Sequence, residues 1–260
     1  MKNENQHFSA VRRKFGRSFW IGAAAVGALS AAAIFAAAWA VHRNNHFDLK
    51  IGEEKVETKE YQLCMDLVKY DTKMEIQKQY DTPYGEDFWE QKFEGKYGYE
   101  ILADNTIEKI KYIHAVYDLA EEYGDVSDGS FAAVEKRWEK ENAKRQKKVE
   151  AGEVVYGLKE YTFDLYMQYE ISMYKEIYCN DTDRKGMDLT EEEVAEYYSQ
   201  GKWIFEGSEE NADLETARIA VERELREKKY DAMIAQMTED STVSGDLESV
   251  DRFTLNNIKR

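Results

Sequence analysis

The sequence predicts a mostly helical domain carried behind one N-terminal transmembrane segment, and three observations predict it. Residues Phe19–Val41 form an uncharged run of 23. Proline occurs once, at Pro83, so long helices can run without interruption. Beyond Val41, one stretch after another repeats apolar residues at the 3.6-residue period of a half-buried helix.

The N-terminal run comes first. As a helix it reaches about 34 Å, enough for a hydrocarbon core of about 30 Å. Trp20 and Trp39 stand near its two ends, where indole rings favour the headgroup boundary. Arg12, Arg13, Lys14 and Arg17 precede it, and such clusters stay in the cytoplasm. Residues 1–18 are therefore expected as a cytoplasmic tail, 19–41 as a membrane signal-anchor, and 42–260 as an extracytoplasmic domain. A cleaved signal peptide is the alternative, since Ala38-Trp39-Ala40 has the small-x-small form of a cleavage site, although the run exceeds the usual length of such a core. Arg12-Arg13 also has the form of a twin-arginine signal. All three readings place the domain outside the cytoplasm.

Inside the domain the elements follow in order. Phe47–Ile51 and Glu54–Val56 read as a strand pair around a Gly52-Glu53 turn, and a further strand is expected near Ser241–Val243 or Arg252–Leu255. A first helix is expected from Thr58 to about Gln79, with Thr58 as its cap. Pro83, Gly85 and Asp87 interrupt the pattern. Thr106–Tyr123 carries Ile107, Ile110, His114 and Tyr117 on one stripe, and Gly124 closes it. Ser127 opens a helix with Phe131, Val134 and Trp138, which continues into a charged stretch of mixed sign, Glu139–Glu150. Glu160–Tyr178 is an aromatic helix, Thr190–Glu193 is a capping box, and a last helix spans Leu214–Met237.

Charge is strongly divided. The first 18 residues carry net +4 within a chain of net −16, which leaves −20 on the remainder. Such a surface repels phosphate backbones, so nucleic acid is not expected as a partner. No Gly-rich phosphate loop, nucleophile elbow or Cys-His pairing is present, and no metal site or cofactor is expected. Carboxylate pairs are inevitable by chance at this acidity and assign no acid–base chemistry. Cys64 and Cys179 could form a disulfide outside the cytoplasm or could be two buried thiols.

The order of elements also resembles a known family. Ile51-Gly-Glu-Glu-Lys-Val56 leads into Thr58-Lys-Glu-Tyr61; Phe88-Trp89 and Phe93 follow, then Asn105-Thr106-Ile107-Glu108. Ala120-Glu-Glu-Tyr-Gly124 precedes Val126-Ser127-Asp128 and Phe131, and Leu189–Tyr198 and Arg218–Met237 come later. Together these look like the N-terminal chaperone domain of the SurA and PrsA foldases. The resemblance implies a trigger-factor-like helical fold, chaperone activity on unfolded or secreted polypeptides, and a bacterial cell membrane as location. It departs at one point: only Ser199–Asp213 lie where those foldases carry a parvulin isomerase domain, and that gap has no histidine. A folded domain needs about 50 residues or more, so prolyl isomerase activity is not carried over.

The chain holds 18 tyrosines and 8 methionines, side chains suited to broad, adaptable contact. Tyr161, Tyr166, Met167 and Tyr169 on the aromatic helix are therefore candidate client-binding residues. Phe88, Trp89, Phe93 and Tyr97 join them as residues that a loop near Pro83 would expose. The expected function is a membrane-anchored holdase without isomerase activity. An ectodomain that docks one dedicated envelope partner is the alternative, and an unorthodox prolyl isomerase is a third reading. Selectivity separates the first two, because a holdase binds many unfolded chains and an adaptor only one.

Overall fold

The first strand of the domain and its last share one sheet. The computed structural model describes residues 45–258 except 206, 208 and 209. Strand β1 (Asp48–Ile51) turns at Gly52 into β2 (Glu54–Lys55), and β5 (Val243–Asp246), far along the chain, pairs with the other edge of β1. Both pairings are antiparallel, with Asp48 opposite Asp246 and Ile51 opposite Val243. Leu49 and Ile51 point into the core while every residue of β5 is exposed. The Phe47–Ile51 strand and its turn are where the sequence put them. Of the two C-terminal strand positions, the one at Ser241–Val243 is nearly right. Arg252–Leu255 lies instead in helix α7 (Leu247–Asn257).

Helix α1 (Thr58–Tyr80) is capped by Glu57 rather than Thr58: the Glu60 carboxylate accepts the Glu57 N–H at 3.3 Å. A left-handed Asp81 (φ 46°) ends it. The chain then forms a 3₁₀ turn (Phe88–Glu90) and a two-residue hairpin of β3 (Lys92–Phe93) and β4 (Lys96–Tyr97). Helix α2 (Gly98–Glu122) starts eight residues before the expected Thr106, because the Glu100 side chain accepts the Tyr97 N–H at 2.6 Å and caps the helix there. This is the central helix. Leu102, Ile110 and Val116 are fully buried, and α1, α4 (Phe163–Asn180), α6 (Leu214–Asp240) and α7 all pack on it.

Helix α3 (Phe131–Glu150) begins at Ser130 rather than Ser127, since an Asp128 side chain accepting the Ser130 N–H (2.9 Å) forms a turn first. Helix α5 (Glu191–Gln200) has the expected reciprocal capping box, Thr190 with Glu193. The main core joins Leu49, Tyr61, Met65, Tyr178, Tyr230 and Phe253, and the Tyr61 hydroxyl meets Thr254 Oγ1 at 2.6 Å. A smaller cluster, Val194, Trp203, Ala217 and Val221, closes the α5–α6 hairpin. The described residues between α5 and α6 thus form a loop, whose Trp203 stacks on Tyr198.

Cys64 and Cys179 are both free, buried thiols, so the disulfide alternative is corrected. They sit on α1 and α4 against different neighbours, and burial pushes the Cys179 thiol up to about 11. The 1–18 tail and the Phe19–Val41 span lie outside the described residues, among which no helix is long and apolar enough to cross a membrane.

His114 gives the domain a pH dependence. Its ring lies 2.6 Å from Glu60 and 3.8 Å from Glu54. Burial opposes charging it, but the Glu60 hydrogen bond and the charges of Glu60, Glu54 and Asp118 win, so its pKa is raised above the ordinary value. A raised folded-state pKa adds stability that is complete below the unfolded value and lost as pH rises through the folded one. The melting temperature should therefore fall between about pH 6 and pH 8, and fall less in His114→Gln. Thermal unfolding at both pH values checks this; equal slopes would contradict it.

Candidate functional site

Helix α3 contributes little to the core, whereas α4 buries Tyr166, Met167, Glu170, Tyr174, Tyr178 and Cys179. Only Val134 of α3 is buried, and the helix is held at its first half. There Phe163 wedges between Phe131 and Trp138, at ring distances of 5.2 and 5.5 Å. Beneath them lies Glu170, 3% exposed, which accepts hydrogen bonds from Tyr117 Oη (3.0 Å), Tyr166 Oη (2.7 Å) and both Nε and Nη2 of Arg137 (2.8 and 3.0 Å). Burial, then the Glu170 carboxylate, push both phenols above their ordinary range, so they remain donors. One buried carboxylate thus ties α2, α3 and α4 together.

Beyond this lock the hairpin opens. Arg145 holds the connecting loop, donating to the carbonyls of Tyr156 (3.1 Å) and Leu158 (2.6 Å) and covering the Tyr161 ring at 4.5 Å. Trp138 Nε1 and Asn142 Nδ2 both donate to the Tyr161 carbonyl. Tyr161 in turn stacks on Tyr169, 5.8 Å away and tilted by 25°. With the loop backbone occupied in this way, its side chains face outward: Val154, Tyr156 and Leu158 are exposed, Tyr156 to 86%, as are Leu165 and Tyr169 one turn apart on α4. Apolar side chains presented together on a hydrogen-bonded scaffold suit contact with another polypeptide.

The candidate residues separate into three groups. Tyr161 and Tyr169 are on this face. Tyr166 and Met167 are buried, the first on Glu170 and the second in the core. Phe88, Trp89 and Phe93 are also buried, which corrects their expected exposure. The 3₁₀ turn and hairpin fold onto the start of α2, where an added Cβ at Gly98 would lie 3.1 Å from the Phe88 carbonyl and Trp89 Cα. Tyr97 is half-exposed and stacked on Tyr99, away from the hairpin face. Sequence reasoning missed Val154, Tyr156 and Leu158. Their signal was an apolar Val-Val-Tyr-Gly-Leu run in an interhelical segment with no strand for it to pair with.

On the flank of α3 runs a groove of about 860 Å³, lined by Arg137, Lys140, Lys144, Lys147 and Lys148 together with Glu141 and Glu153, and reached by Tyr166. A second exposed apolar patch, Ile204, Phe205 and Ile219, caps the α5–α6 hairpin. Among the described residues no group of three or more His, Cys, Asp or Glu is arranged to hold a metal ion.

No protein-family model matches the chain, and no solved structure does. A curated protein of Bifidobacterium longum subsp. longum, the chaperone for lacto-N-biosidase, is 28% identical over 188 residues, spanning 72% of this chain and 67% of that relative. This chain is therefore similar, over most of its length, to a protein described as a chaperone.

Proposed function

We propose that this chain is a membrane-tethered chaperone that helps one extracytoplasmic client enzyme, of the lacto-N-biosidase kind, to reach its folded form. The observation that carries the reading is the similarity to a chaperone described by a single client. The uncharged Phe19–Val41 run and the basic residues before it support a tether with the domain outside. The foldase-like order of elements supports the chaperone class. Isomerisation of proline is not part of the proposal, because the short gap Ser199–Asp213 leaves no room for a folded isomerase domain.

The α3–α4 face is the surface such a client would meet. Tyr and Leu side chains there offer apolar area to an incompletely folded chain, and the Arg145 bonds keep that area outward. The triple variant Tyr156→Ser, Leu158→Ser, Tyr169→Ser removes exposed apolar surface, so it should leave the melting temperature within about 2 °C of the parent. It should lower the yield of refolded client several-fold in a dilution-refolding assay. A full yield with the triple variant would remove this face from the proposal.

A general holdase is the second reading, favoured by the abundance of exposed tyrosine and leucine on this face. It predicts equal protection of unrelated unfolded proteins, whereas the single-client reading predicts protection of the client enzyme alone.

A further inference from the structure

The chain is acidic, yet residues 140–148 carry five basic side chains and one acidic one. Lys140, Lys144, Lys147 and Lys148 recur at helical spacing and so share one side of α3. They line the groove of about 860 Å³ described above, where they outnumber its two carboxylates, Glu141, which is paired with Arg145 at 2.9 Å, and Glu153. Arg137, at its inner end, is already committed to Glu170 and to the Asp128 carbonyl. Lys144 has Glu141 at 3.8 Å, and Lys140, Lys147 and Lys148 form no ion pair among the described residues. Exposed Ala143 puts no large side chain between them. The adjoining loop carries the exposed Val154, Tyr156 and Leu158. A cationic trough thus runs beside an apolar face on one hairpin.

We infer that this trough seats an acidic, leucine-containing segment of the client polypeptide. The inference rests on the chaperone reading and deepens it by naming the chemistry of what is held. Lysine suits the role, since a point charge on a long flexible stem follows many carboxylate positions. Opposite charge selects the occupant. A second copy of this chain, or an anionic bilayer, would bring an extended negative surface against a chain region of net −20, and long-range repulsion would oppose the local gain. A single unfolded strand enters the trough without doing so.

The test uses the full chain in a neutral detergent and a fluorescein-labelled peptide of alternating Glu and Leu, with its Gln-for-Glu counterpart as control. Fluorescence anisotropy should show the acidic peptide binding at least about tenfold more tightly than the control, with weaker binding as salt rises from about 50 to about 500 mM. The variant Lys140→Gln, Lys144→Gln, Lys147→Gln, Lys148→Gln should lose at least about tenfold in affinity, and lysine-to-arginine changes at the same four positions should retain it. Equal affinity for the two peptides, or unchanged affinity in the glutamine variant, overturns the inference. So does a glutamine variant that loses binding to phosphatidylglycerol vesicles but keeps the peptide. Client refolding separates the two proposals. If the chain refolds its client and the glutamine variant does so equally well, the trough fails and the chaperone reading stands. If the chain refolds no client but the peptide pattern holds, the chaperone reading falls and the trough stands as an acidic-peptide site.

Discussion

Glu170→Leu is expected to destabilise the domain by about 3 kcal/mol, the lower end of what removing one partner of a buried ion pair costs. Glu170 accepts from two phenols and a guanidinium and is almost fully buried. Leucine leaves Tyr117 and Tyr166 without an acceptor and Arg137 without its counter-charge. Arg137 is a quarter exposed, so water recovers part of its solvation, which places the loss at the lower end. The double variant Arg137→Leu, Glu170→Leu should be milder than Glu170→Leu alone, because no charge is stranded. Urea unfolding of the three proteins measures both differences. A loss below about 1 kcal/mol for Glu170→Leu would mean that the network behaves as a solvated surface pair.

Gly245→Val acts on the sheet that joins the ends of the domain. Gly245 has φ +123°, where residues with a Cβ are strained, and an added Cβ would lie 2.3 Å from the Asp48 carbonyl oxygen. That atom belongs to the backbone of β1 and cannot swing away. The substitution should separate β5 from β1, release the Gly52 N–H to Thr242 bond, and cost about 3 kcal/mol or more from strain and lost pairing together. Hydrogen exchange should show faster exchange of the Gly52 amide, while the Ile110 amide in α2 stays protected until global unfolding. Normal protection at Gly52 would contradict the account.

Much of the helical scaffold was readable because the long helices carried their own apolar stripes, although the N-caps of α1 and α3 fell at other residues than expected. Thr190 with Glu193 and the closing Gly124 needed no tertiary information. The start of α2 did not show, since Tyr99–Asn105 has no clear stripe and its cap is a Glu100 side chain reaching back over one turn. The β3–β4 hairpin is too short for alternation, and its turn uses a left-handed Glu94 with Gly95. Strand β5 is exposed along its whole length, so period-two patterning could not mark it. The candidate site was partly readable for a related reason. Aromatic residues near Pro83 suggest an exposed loop, yet Phe88, Trp89 and Phe93 complete the core over Gly98. Tyr161 and Tyr169 could be found from composition. Tyr156 and Leu158 depend on Arg145 occupying their carbonyls, a contact between segments more than ten residues apart.

As proposed, this chain assists the folding of one client enzyme. The most direct measurement is the yield of active, exported lacto-N-biosidase-type enzyme produced with and without co-expression of the full chain, alongside an unrelated exported enzyme. The account predicts a several-fold rise for the client and none for the unrelated enzyme. No rise for the client would contradict it, and an equal rise for both would replace it with a general holdase.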